Sequence, residues 1–278
     1  MKNIILVFIS ICLTIQINAQ ITINGKIIDS ESKEGIPYVN IGIIKMSKGT
    51  VSDSQGKYEL KVNSNEELIT ISSIGYETLN VKAKELKEKE IIELTSKEYG
   101  ILGIEIEAKR FKEEELIFGV RNEKRGQSIG FGSAQLGTEI GSAIKIEKRT
   151  YIKSANFVLN HAKGDSLLFR INIYQFKDGK VGMNLLTENI IIKEKQRKGT
   201  ITVDMQKYNL ILESDVLLTL EWLRNFDEIG NKEITFDTKK TRKLKGIYVK
   251  YSSNGEFSKL SQKTKVKPCF YFKGKQSQ

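Results

Sequence analysis

The groups in this chain able to do chemistry are few in kind: one histidine, His161, two cysteines, Cys12 and Cys269, and many carboxylates. A hydrolytic zinc centre needs two histidines and a carboxylate around an open position, which a single histidine leaves unassembled. His161 stands in Asn-His-Ala-Lys-Gly-Asp, read as a turn after a strand. With Asp165 and Ser166 it completes a Ser-His-Asp set in composition only, because neighbours on one turn do not aim along the relay and no Gly-x-Ser-x-Gly elbow is present. Cys269, flanked by aromatic Phe270 and Phe272 nearby, reads as a core thiol. Carboxylate pairs for sugar cleavage stay open by number, although most acids fall in charge-interleaved turns. No catalytic residue, metal ligand or cofactor site is assigned.

Two further stretches have the look of ligand loops. GTVSDSQGKYELKV, residues 49–62, places Asp53 before Gln55 and Gly56, but the next acid is Glu59. A calcium loop wants oxygen ligands at alternate positions, so Asp53 to Gly56 reads as a turn, with Asp accepting local backbone bonds and Gly taking the left-handed position. GQSIGFGSAQLGTEIG, residues 126–141, lacks the G-x-G-x-x-G order and a closing Gly-Lys-Ser/Thr. It reads as flexible entry into a following domain.

The elements around these stretches are strands. Ile21, Ile23, Gly25 and Ile27 alternate onto one face, as do Val39, Ile41 and Ile43, then Tyr58, Leu60 and Val62, followed by Leu68–Ile74. This predicts a small antiparallel sandwich. Beyond residue 136 about eight more strands are expected: 151–159, 167–175, 185–192, 200–203, 216–224, 233–236, 246–251 and 268–272. Asp178-Gly179 marks a hairpin. The fold class is all-β, with a second, jelly-roll-like sandwich. Phe169, Ile171 and Ile173 pack inward while Arg170, Asn172 and Tyr174 meet water, which makes those three the candidate ligand face. Trp222 lies on an apolar face and reads as core.

The first half carries ordered motifs: Gly25-Lys-Ile-Ile-Asp29, Gly35-Ile-Pro-Tyr-Val-Asn-Ile41, Gly49 to Leu60, and Ile74-Gly-Tyr-Glu-Thr78. Together they resemble the carboxypeptidase-regulatory-like domain over residues 20–95. The resemblance implies a transthyretin-type sandwich in an exported setting, as at the N-terminus of bacterial outer-membrane receptors. GILGIEIEAKR, residues 100–110, is similar to the segment leading to the receptor plug, yet too little chain follows for a membrane barrel. Residues 126–225 resemble, less sharply, bacterial proteins in which such a domain precedes a β-sandwich without an assigned activity.

Residues 1–19 have the three-part layout of a signal peptide: Lys2, an apolar run from Ile4 to Ile15, and Ala19 as the small residue before cleavage. Cys12 sits inside the apolar run, without the small-residue context of a lipidation site. No further apolar run predicts a transmembrane segment in the mature chain. The expected division is signal 1–19, first sandwich 20–108, a charged and glycine-rich linker 109–135, and second sandwich 136–278. The formal net charge is +11. Lysines interleaved with acids fit solvated strand edges, and nucleic acid is not an expected partner of an exported chain. The expectation is an exported, non-enzymatic binding or assembly module of the cell envelope, whose partner is an envelope protein or polysaccharide. Two alternatives are a hydrolase of envelope polymer and a basic adhesin using segments 193–198, 239–245 and 259–267.

Overall fold

The computed structural model describes residues 20–44, 46–97, 111–121, 127–131, 135–162, 167–223, 234–240, 246–260 and 266–278. The expected signal peptide and residues 100–110, likened to the segment leading to the receptor plug, lie outside the described residues. Among the described residues the protein is all-β apart from one short helix and one 3-10 turn.

The N-terminal unit contains β1 (Ile21–Asp29), β2 (Asn40–Ile43), β3 (Gly49–Val51), β4 (Lys57–Val62), β5 (Leu68–Ser72), β6 (Leu79–Lys82), helix α1 (Ala83–Glu88) and β7 (Ile91–Leu94). A three-stranded sheet, β4-β1-β7, faces a four-stranded sheet, β3-β2-β5-β6. The alternation of the sequence is what buries their inner faces: Ile23 and Ile27 from β1, Ile41 and Ile43 from β2, Leu60 and Val62 from β4 share one core. The sandwich is not wholly antiparallel, since β7 runs parallel to β1. α1, anchored by buried Ala83 and Leu86, carries the chain from β6 in the other sheet to β7. The sequence reading had no helix there.

The turn at residues 53–56 has the chemistry expected of it. Asp53 Oδ1 accepts from the backbone N–H groups of Gln55 and Lys57, at 2.7 and 2.9 Å. Gly56 takes a φ of 81°, where a side chain would also run into the Ile27 carbonyl.

The C-terminal unit contains β8 (Leu116–Gly119), β9 (Ser128–Phe131), β10 (Glu139–Ile144), β11 (Thr150–Ala162), β12 (Leu167–Lys177), β13 (Lys180–Asn184), β14 (Ile190–Glu194), β15 (Gly199–Asp204), β16 (Ile211–Leu212), β17 (Val216–Trp222), β18 (Ile234–Lys240), β19 (Ile247–Lys250), β20 (Ser258–Lys259), β21 (Val266–Pro268) and β22 (Phe270–Gln276). One sheet runs β13-β12-β17-β10-β19-β20, with β14 also on β12. The other runs β21-β18-β11-β22-β8, with β15 and β16 on β11 and β9 on β18. Between them lies a core built on Phe131, Phe169, Trp222, Phe236 and Phe270, whose rings meet at 5.2–6.3 Å. Cys269 is buried.

Several local expectations change. Part of the stretch read as a linker is sheet: β8 pairs with β22 and β9 with β18. The glycine-dense stretch read as flexible contributes β9 and the start of β10, and β10 lies inside its sheet between β17 and β19. Its glycines answer to close packing. A Cβ on Gly141 would lie 2.6 Å from Thr219 Cγ2, and one on Gly130 would collide with the Ile234 carbonyl. His161 lies in β11, paired with Thr235 and exposed, instead of in a turn. Asp165 and Ser166 lie outside the described residues. Asp178 and Gly179 do form a hairpin turn, with φ of 51° and 80°, leading into β13, a strand the periodicity had not separated.

Candidate functional site

Arg170, Asn172 and Tyr174 lie on the outer face of the β10-containing sheet, as alternation with Phe169 and Ile171 requires. Water does not reach most of that face, and this corrects the sequence reading. Arg170 and Asn172 are 1% and 2% exposed, and only Tyr174 keeps part of its surface. A second layer covers them. The backbone carbonyl of Tyr38, from the N-terminal unit, accepts a hydrogen bond from Arg170. Phe257 packs on Tyr174 with ring centroids 5.1 Å apart, and within the sheet itself Asn184 on β13 donates to Asn172 Oδ1 at 2.9 Å.

The strand register assembles a row of charge on this face. Arg170 on β12 stands opposite Glu221 on β17. Glu221 stands opposite Glu139 on β10, and Glu139 opposite Lys250 on β19. The order is cation, anion, anion, cation, and both glutamates are fully buried. Two carboxylates directly across a ladder repel each other, and each is therefore held by a cation on its far side. Arg170 Nη1 lies 3.2 Å from Glu221 Oε2, and Lys250 Nζ pairs with Glu139 Oε1. Neutral donors complete the shell. Asn172 gives 3.0 Å to Glu221, Thr219 gives 2.7 Å to Glu139, and the Tyr174 hydroxyl gives 3.0 Å to Glu139.

The row is not fully satisfied, because Glu221 Oε1 and Arg170 Nε find no partner among the described residues. Burial holds the Glu221 carboxyl above its usual range, opposed by Arg170 and reinforced by Glu139. Burial also pushes the Tyr174 phenol well up, with Glu139 adding to it. A raised carboxyl beside a second carboxylate is the equipment of acid–base hydrolysis. Here the pair is closed off: neither glutamate lines the cleft described below, and each already carries a cation. The bonds of the two glutamates stay within their own sheet, and Arg170 ties the row to the N-terminal unit through the Tyr38 carbonyl.

The rest of the junction is also polar. Ser252, Ser253 and Asn254 form a turn that enters a notch on the N-terminal sheet where Gly42 and Gly49 face each other. A Cβ on Gly42 would collide with the Ser253 carbonyl. Asn254, at a φ of 57°, donates to the carbonyls of Thr70 at 2.8 Å and Asn40 at 3.3 Å, and accepts from Ser72 Oγ at 2.7 Å. Ile74 of the Ile-Gly-Tyr motif packs on the C-terminal core, whereas Tyr76 packs on its own. The motif thus straddles the seam.

Beside the seam opens a cleft of about 1030 Å³. One wall is the β3–β4 edge with Lys48, Lys57, Glu59 and Lys61. The other carries Leu136, Leu168, Lys193 and Leu223. The sequence reading did not find Glu139, Glu221 or Lys250, nor this cleft. The alternation in Val216–Trp222 does set Glu221 and Thr219 opposite an apolar face, which marks where charge would sit once a second layer covered it. Among the described residues no group of three or more His, Cys, Asp and Glu is gathered to hold a metal, and no helix is long and apolar enough to cross a membrane.

Comparison with known proteins agrees with the first half of this architecture. Over 116 residues, 41% of its length, the chain is 29% identical to a TonB-dependent receptor of Formosa agariphila. It spans about 10% of that receptor. The family model of the CarboxypepD_reg-like domain matches residues 23–102, from β1 past β7. The N-terminal sandwich, with its Asp53 turn and its seam-straddling Ile74-Gly-Tyr76, is a CarboxypepD_reg-like domain.

Proposed function

We propose that this protein is an exported, non-enzymatic binding or assembly module of the bacterial cell envelope, acting on an envelope protein or polysaccharide. One observation carries the reading. The side chains best equipped for acid–base work are buried under a second layer and bonded to cations and donors of their own sheet, whereas a strand edge that no described strand pairs with faces an open cleft. The distant receptor relative adds an envelope context to the N-terminal domain. The adhesin alternative draws less support, since Lys267, in one of its basic segments, is buried and donates to the Ala143 carbonyl at 2.7 Å.

The test is envelope fractionation of cells producing the full chain, followed by cross-linking and by incubation with isolated envelope polymers. Recovery in the envelope with one protein captured at both low and moderate salt is expected. Capture of polyanions that vanishes at moderate salt indicates the adhesin. Polymer turnover abolished by Glu139→Gln or Glu221→Gln overturns the non-enzymatic reading.

A further inference from the structure

Among the described residues strand β4 has one neighbour, β1, and its other edge lies on the cleft. The ladder fixes which backbone groups face outward. Ile27 N–H donates to the Gly56 carbonyl at 2.9 Å, and Lys26 opposes Lys57. Residues 56, 58, 60 and 62 therefore turn their N–H and C=O groups to β1, while 57, 59 and 61 turn theirs away. Lys57 is used locally, because its N–H and carbonyl bond to Asp53. Glu59 and Lys61 present their main chain to the cleft, and among the described residues no strand pairs with them. An edge of this kind is a template for an added strand.

The surroundings describe the occupant. Lys48, Lys57 and Lys193 are exposed and in no ion pair among the described residues, while Lys61 has only a 3.9 Å contact to Glu59. Of the two acids on the cleft, Asp53 already accepts two backbone hydrogen bonds. Across the gap Leu136, Leu168 and Leu223 offer an apolar wall. A second copy of this chain would bring the same lysines, and a net charge of +11, against itself.

We propose that the outer edge of β4 accepts, by strand addition, an extended segment of a partner protein in which acidic and apolar residues alternate. Its backbone pairs with Glu59 and Lys61, its carboxylates meet Lys57 and Lys193, and its apolar side chains face the leucine wall. This inference rests on the binding-module reading above and names the chemistry of its partner.

The probe is a fluorescein-labelled eight-residue peptide alternating valine and glutamate, titrated by anisotropy against the full chain. Its counterpart with lysine for glutamate serves as control. The glutamate peptide is expected to bind at least tenfold more tightly than the lysine peptide. Lys61→Pro removes an outward N–H together with the Lys61 ammonium, so β4 keeps its ladder to β1 and the peptide loses at least tenfold in affinity relative to Lys61→Ala, which removes the ammonium alone. The double variant K57E/K193E changes two exposed side chains and is expected to reverse the preference towards the lysine peptide. It carries the test if Lys61→Pro does not fold, as judged by circular dichroism. Equal binding to Lys61→Ala and a folded Lys61→Pro variant, or equal binding of the two peptides, overturns the proposal. So does a dimer in sedimentation that Lys61→Pro abolishes, since the occupant is then a second copy. Loss of the edge site with envelope capture intact overturns this proposal alone, whereas polymer turnover overturns the functional reading whatever the peptides do.

Discussion

Replacing Arg170 by methionine tests the charge row directly. The change leaves Glu221 buried beside Glu139 with Asn172 as its remaining hydrogen-bond donor, and it removes the bond to the Tyr38 carbonyl across the seam. Breaking a buried ion pair from one side costs about 3–5 kcal/mol, because an uncompensated charge stays inside. With m near 2–3 kcal/mol/M in urea, the midpoint falls by roughly 1–2.5 M. R170M/E221Q removes both charges while Gln can still accept from Asn172, and it is expected to recover at least about 2 kcal/mol of that loss. The pH dependence follows from the raised Glu221 carboxyl. A carboxyl raised in the folded state holds its proton where the unfolded chain has lost it, so its contribution is present below the unfolded value and fades as pH rises through the folded one. Arg170 opposes that rise, so removing it pushes the folded value further up. The deficit of Arg170→Met relative to wild type is therefore small near pH 4–5 and grows towards neutrality. Taking the difference between variant and wild type at each pH cancels the titration of the surface acids. Urea midpoints at four or five pH values decide the matter. A deficit that stays constant, or grows on acidification, refutes the reasoning, as does a double variant no more stable than the single.

The seam and the strands make their own tests. Gly42→Val fills the notch that receives the Ser253 carbonyl, so limited proteolysis is expected to separate the two units and small-angle scattering to report a larger radius. Asn254→Ala removes three hydrogen bonds across the seam and is expected to cost about 1–3 kcal/mol in urea unfolding. Gly141→Ala places a methyl group 2.6 Å from Thr219 Cγ2 and is expected to cost about 1–3 kcal/mol by overpacking. Burial lowers the Lys267 ammonium to about 8. Between that value and its unfolded one the unfolded chain binds more protons, so this group makes the protein more stable as pH rises from about 8. Lys267→Met should lose that increment, read as the difference in urea midpoint between pH 7.5 and pH 10.

Much of the fold was legible in the chain because strand periodicity and turn chemistry are local. Val39, Ile41 and Ile43 alternate with Asn40 and Gly42, and the structure buries the first set in one core. Asp53 and Gly56 announced their turn through side-chain chemistry and a permitted φ. The strands that escaped notice lacked such signals. Gly141 and Ser142 in β10 break the apolar alternation, and their smallness becomes intelligible only beside Thr219 of a strand some eighty residues away. Glycine density reads as flexibility when the neighbour that needs the space cannot be seen.

The candidate site divides the same way. Alternation within β12 determined that Arg170, Asn172 and Tyr174 share the face opposite Phe169 and Ile171. Tertiary structure alone decided that the face is covered, that β17 and β10 set Glu221 beside Glu139, and that Lys250 closes the row. The physical reason is that periodicity fixes a side chain relative to its own strand, whereas exposure and charge pairing depend on register between strands and on which layer lies above them. Here that layer is a loop and a second β unit, joined by contacts 132 and 184 residues apart in the chain.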